Sequence, residues 1–221
     1  MFAITKCTLS LFMLISASAF ATPPKAVIFY FGGYEATTAE VDLWQKSALA
    51  QTGGDYQFNV YPYPAGASSS ASSAIKGFGQ GNINVLAKEI IDNASTQFII
   101  VGHSSGCAIA DAIAAGVIAQ ASTTVLNVRL VVLDGFLPSS EVKEKMPYKC
   151  YSAYDDGHYS LNWSAMKTCG NNFVPLETPY CGSDIWCLHF SLVNSAATSS
   201  IVKTIPEGYT DCVANLAWLN D

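Results

Sequence analysis

The sequence predicts an α/β fold with a mainly parallel central sheet of about six strands and helices on both faces. Two patterns predict it. Short β-branched and aromatic runs alternate along the chain with segments of helical period. Several of those runs, such as Phe98-Ile-Ile-Val101 and Leu130-Val-Val-Leu133, are continuously apolar, as a strand covered on both faces must be. Composition agrees with a single sizeable core, because 50% of the 221 residues are hydrophobic and 13% are charged.

The first stretch stands apart from this pattern. Lys6 is followed by the apolar run Leu9 to Ser16 and then by Ala19-Phe-Ala21. The run is too short to span a bilayer as a helix, and the small residues at Ala19 and Ala21 match the site where export signals are cleaved. Residues 1–21 are therefore expected to be a signal peptide and residues 22–221 a single domain, secreted or periplasmic.

Within that domain, Ala26 to Phe31 reads as the first strand, stopped by Gly32-Gly33, and Ala39 to Gln51 as the first helix. Tyr56 to Tyr61 is the second strand. The Ser-, Ala- and Gly-rich stretch Gly66 to Gly81 reads as a flexible surface loop. A helix over Ile83 to Asn93 leads to a strand over Gln97 to Val101, and an Ala-rich helix over Ser105 to Gln120 leads to a strand over Val128 to Leu133. Beyond these come strands over Lys149 to Tyr154 and Asn172 to Leu176, with helices over Leu161 to Thr168 and Pro206 to Leu219. No repeat and no interdomain linker interrupts the series.

Charge and cysteines narrow the class. With 11 Lys and Arg against 17 Asp and Glu, the chain lacks the basic surface that binds nucleic acid. Cleavage of the signal would remove Cys7 and leave Cys107, Cys150, Cys169, Cys181, Cys187 and Cys212. An even set in an exported chain predicts disulfides, and spacing alone suggests one pair, Cys181 with Cys187. Cys187 with His189 has no matching second pair of ligands, so no metal or other cofactor is implied.

The chemistry centres on Gly102-His103-Ser104-Ser105-Gly106, a G-x-S-x-G pentapeptide between a strand and a helix. The string alone is compatible with an ordinary Gly-rich turn. Its context is more specific: small residues two before and two after Ser104 let strand and helix approach closely, and the sharp turn lifts the serine Oγ above the sheet. The following helix directs its N-terminal N–H groups at the reacting oxygen.

A serine hydroxyl needs a base, and the base needs an acid to hold its tautomer. Of three histidines, His103 sits inside the turn and is expected to shape the pocket. His158 lies in the polar segment Asp155-Asp-Gly-His, where a solvated histidine is ordinary. His189 lies beyond the last of the six strands, which satisfies the chain order Ser, Asp, His. For the acid, Asp134 closes an apolar strand and is followed by glycine, while Asp155 and Asp156 end the next strand; topology leaves the choice between them open. Asp184 reads as a loop carboxylate or a cap. The oxyanion donors are expected at the N–H of Ser105 and, from the turn after the first strand, at Gly33.

These residues resemble the α/β-hydrolase superfamily, in particular its type I thioesterase domains. Phe31-Gly-Gly-Tyr with Leu43-Trp44, Gly102-His-Ser-Ser-Gly106, Leu130-Val-Val-Leu-Asp134-Gly-Phe-Leu-Pro138 and His189-Phe-Ser-Leu-Val193 match its segments in order. The resemblance implies Ser104 as nucleophile, Asp134 as acid and His189 as base. It departs in lacking room for a lid after the acid strand and in the export signal. Compact secreted esterases, lipases and cutinases share the lidless form.

The expected activity is cleavage of a carboxylic ester or thioester by an exported serine hydrolase. The expected substrate is a small-molecule or lipid-like ester, without nucleic-acid partners or stable membrane insertion. A non-catalytic binding protein on the same fold and a serine peptidase are the alternatives. Acyl specificity and oligomeric state are not encoded in any motif.

Overall fold

A computed structural model describes residues 23–121, 127–195 and 212–219. The segment read as a signal peptide lies outside the described residues, as do residues 206–211 of the last expected helix. Among the described residues no helix is long and apolar enough to cross a membrane.

The fold is a mixed α/β sheet of the expected kind. Strand β1 (Ala26–Phe31) is buried at every position and lies between β2 (Tyr56–Tyr61) and β3 (Phe98–His103), both parallel to it. On the far side of β3 follow β4 (Val128–Leu133) and β5 (Tyr148–Asp155), also parallel. Beyond them β5 pairs with a two-residue antiparallel strand, β6 (His158–Tyr159), and with parallel β7 (Phe173–Glu177). The seven-stranded sheet therefore contains the six expected strands and one short addition.

Period-2 alternation in the strands divides the core into two layers. Val27, Phe29, Phe31, Ile100, Leu130 and Val132 face α3 (Gln80–Asp92) and α4 (Gly106–Gln120). Ile28, Tyr30, Ile99, Val101, Val131 and Leu133 face α1 (Thr38–Thr52), α7 (Ile185–Ser191) and Trp218. A Thr37–Glu40 capping box opens α1, and left-handed Gly53 ends it. Helix α4 buries residues around most of its circumference, because α3 and a smaller helix cover the side away from the sheet.

Three expectations are corrected. The Gly66 to Gly81 stretch is structured: α2 (Ala71–Phe78) starts from Ser70, whose hydroxyl accepts from the Ser73 N–H, and α3 starts at Gln80. Ala74 is fully buried and Phe78 packs edge-on against Phe31 and Tyr61, so two apolar contacts four residues apart outweigh a Ser-rich composition. The helix over Leu161 to Thr168 is shorter, α6 (Trp163–Met166), and continues as a 3₁₀ turn over Lys167–Asn172. Residues 212–219 of the last expected helix are not helical. Ala214 bridges Asn194, and Trp218 is buried with Arg129 donating to the Trp218 and Leu219 carbonyls; burial of one large ring there overrides the helical period.

One short helix, α5 (Ser140–Lys145), lies between β4 and β5, so the segment after β4 is short. Cys181 pairs with Cys187 as expected, and Cys150 pairs with Cys169. Among the described residues Cys107 and Cys212 are free.

Candidate active site

Ser104 stands on the turn between β3 and α4 with φ +52°, a left-handed conformation that non-glycine residues adopt at a cost of about 1–3 kcal/mol. The flanking glycines explain how the turn closes. A Cβ on Gly102 would strike the Cys107 backbone, and one on Gly106 would strike the carbonyls of Phe31 and Gly32. Strand, turn and helix thus touch backbone to backbone.

Asp134 follows β4 with φ +45° and is 0% exposed. Its Oδ2 is 2.6 Å from His189 Nδ1, which donates to it. Its Oδ1 accepts from the hydroxyls of Ser152 at 2.6 Å and Ser160 at 3.0 Å, and the Asn162 N–H reaches it at 3.2 Å. Burial works to raise the Asp134 carboxyl. The His189 contact and the two hydroxyls outweigh burial and hold it below the usual carboxylate range.

His189 lies within α7, a helix absent from the sequence reading. Asp184 caps this helix, accepting from the Trp186 N–H at 3.0 Å and the Cys187 N–H at 3.1 Å, as its alternative reading as a cap anticipated. The Cys181–Cys187 disulfide joins the helix to the loop before it.

The other candidates fall elsewhere. Asp155 accepts from the Gly182 N–H at 2.5 Å, Asp156 is exposed in the β5–β6 turn, and His158 is exposed on β6. Gly33 comes close to the turn that bears Ser104: a Cβ there would lie 3.0 Å from the Ser104 Cβ and 3.0 Å from His103 Nδ1. Ser105 opens α4, and its hydroxyl donates to the Ser69 carbonyl at 2.9 Å.

Ser104, Ser105, Gly33 and His189 line one cavity of about 640 Å³. Its inner wall is apolar and includes Tyr30, Val41 and Trp44; Phe136, Leu161 and Trp186 stand exposed at its rim. Glu35 and Glu40 also line it, without any Lys or Arg. Sequence reasoning missed Ser152, Ser160 and Asn162, since a hydroxyl on a neighbouring strand leaves no local motif. Such an arrangement can activate a hydroxyl, hold an imidazolium beside a buried carboxylate and receive an apolar group.

No protein-family model and no curated protein matches this chain. Among solved structures, it is similar to the ydeN gene product from B. subtilis, with 16% identity over 82% of this chain and 96% of that one and a TM-score of 0.47. A lipase-esterase related protein from Clostridium acetobutylicum has 14% identity over 83% of this chain and 94% of that one, with a TM-score of 0.46. The catalytic core domain of acetyl xylan esterase from Trichoderma reesei has 13% identity over 58% of this chain and 83% of that one, with a TM-score of 0.38.

Proposed function

We propose that this chain is an exported serine hydrolase that cleaves a carboxylic ester, or a thioester, through an acyl-enzyme on Ser104. The observation that carries this reading is the buried 2.6 Å contact of Asp134 with His189, in a cavity that Ser104 lines from a left-handed turn.

In the first half-reaction His189 Nε2 takes the proton of the Ser104 hydroxyl as Oγ bonds to the substrate carbonyl carbon, whose π electrons move onto oxygen. Asp134 supports the resulting imidazolium through Nδ1–H. When the carbonyl re-forms, the alcohol or thiol leaves with the proton that His189 returns. Water repeats the sequence on the acyl-enzyme and releases the acid.

The oxyanion falls to the N–H groups of Ser105 and Gly33. The preceding amide in each segment is already engaged, Ser104 N–H with the Leu133 carbonyl at 2.9 Å and Gly32 N–H with the Tyr61 carbonyl at 3.0 Å. Each such donor contributes about 3 kcal/mol to lowering the barrier. The apolar inner wall favours an uncharged acyl or alcohol group, and the two glutamates disfavour an anionic one. Two disulfides support the export part of the reading.

Ser104→Ala is expected to abolish hydrolysis of p-nitrophenyl butyrate and labelling by a fluorophosphonate probe. Equal labelling of the variant and the wild type would overturn the assignment. Asp134→Asn is expected to reduce kcat by about 10⁴-fold, as loss of the orienting acid does, with Asp156→Asn near wild type.

A further inference from the structure

His103 is buried, titratable and has no part in the steps above. It ends β3 one residue before Ser104 and is 3% exposed. Its Nε2 lies 3.2 Å from the main-chain carbonyl oxygen of His189, and the two rings are 4.5 Å apart between centroids. A carbonyl only accepts, so Nε2 carries the proton and donates.

The acceptor belongs to the last turn of α7, where a helix leaves its final carbonyls without intrahelical donors. The Val193 N–H, four residues on, turns back to the Phe190 carbonyl at 3.0 Å. The His103 side chain therefore supplies a donor at the end of the helix, on the residue that carries the proposed base. On its other side, Nδ1 faces Gly33. One imidazole thus touches the nucleophile turn, the base helix and the segment of the second oxyanion donor.

We infer that His103 is a positioning residue: the bond from its Nε2–H to the His189 carbonyl sets the distance between the base helix and the nucleophile turn. This rests on the proposed roles of Ser104 and His189. The Asp134 bond fixes one end of the His189 ring, whereas the placement of Nε2 against Ser104 depends on where α7 itself sits. A misplacement of about 1 Å costs on the order of 100-fold in rate. Burial, then the nearby His189 charge, push the His103 imidazole down to about 3, so it stays a neutral donor while His189 gains and loses its proton.

Two substitutions separate the two ring nitrogens. Gln reaches as far as Nε2 and keeps a donor there, whereas Asn reaches only as far as Nδ1. With p-nitrophenyl butyrate, His103→Asn is expected to lower kcat by about 10- to 100-fold with KM within about threefold. The rate of fluorophosphonate labelling of Ser104 should fall in step. His103→Gln should keep both constants within about threefold of wild type. Wild-type kcat in His103→Asn, or a Gln variant as slow as the Asn variant, would overturn the inference. If the Asn variant does not fold, His103→Met, similar in length and lacking the donor, takes its place with the same expectations. An inactive Ser104→Ala beside fully active His103→Asn and His103→Met would sink this inference alone. An active Ser104→Ala would remove the reading on which it rests.

Discussion

The turn bearing Ser104 is clamped by backbone, whereas the helix bearing His189 is held by separate bonds from side chains distant in sequence. Gly102 and Gly106 admit no side chain, and α4 behind them is buried along most of its length. Helix α7 has seven residues, an Asp184 cap, a disulfide at its first turn, the Asp134 bond to its histidine and the His103 bond near its end. Close packing tolerates little displacement, and a set of individual bonds can be removed one at a time. The two halves of the proposed machinery should therefore fail differently.

The largest effect is expected at the clamped turn. Gly106→Val drives a branched side chain into the Phe31 and Gly32 carbonyls and should cost about 3 kcal/mol or more, measured by urea denaturation. Near wild-type stability there would break the contrast.

The disulfides come next. Replacing Cys150 and Cys169 by Ser opens a link spanning 19 positions, and replacing Cys181 and Cys187 opens one spanning 6. Loop entropy predicts losses of about 3 and about 2 kcal/mol. Activity should rank the other way, because only the shorter link holds α7. A greater loss of kcat in the Cys150/Cys169 variant would break the comparison.

Ser160→Ala removes one donor to Asp134 and leaves the Ala153 N–H without the hydroxyl it donates to. About 2 kcal/mol of stability is expected to be lost, with a decrease in kcat, while Ser105→Ala, away from the acid, should retain the His189–Asp134 contact.

A slope in pH separates the two halves as well. His103 has a folded value of about 3 against 6.5 in the unfolded chain, so the unfolded state binds the proton first. The stability it contributes is fully present above pH 6.5 and is lost as pH falls toward 3. Asp134, also depressed, adds to the same acid-side loss below the ordinary carboxylate range. Urea denaturation at stepped pH should show a shallower slope between pH 6 and 4 in His103→Gln than in wild type.

The two halves also differed in how far they could be read before folding. Strand β3, the Gly102 to Gly106 pentapeptide and α4 are contiguous, and their contacts are local, so pattern and spacing expose them. The His189 side is assembled from β4, β5, the Ser160–Asn162 segment and α7. His189 was legible from chain order, but its helix was not, since seven residues are two turns with little period to detect. Topology left Asp134, Asp155 and Asp156 equivalent. In three dimensions Asp134 faces His189, while Asp155 turns to the Gly182 N–H.

Composition misled where burial, not propensity, decides. The Ser-rich segment before Gly81 folds because Ala74 and Phe78 reach the core. Residues 212–219 lose their helical period because Trp218 fits beneath α1 in an irregular turn.

By itself the sequence determined the α/β class, the order of the strands, the serine turn and one disulfide, because alternation, glycine spacing and loop length are local properties of a chain. Topology had left the acid open and the family resemblance had pointed to Asp134; tertiary structure brought that carboxylate to His189, and it alone decided which hydroxyls hold the carboxylate and that His103 joins the two sides. Those contacts link positions 18 to 86 residues apart, and only packing of the sheet brings such positions within hydrogen-bond reach.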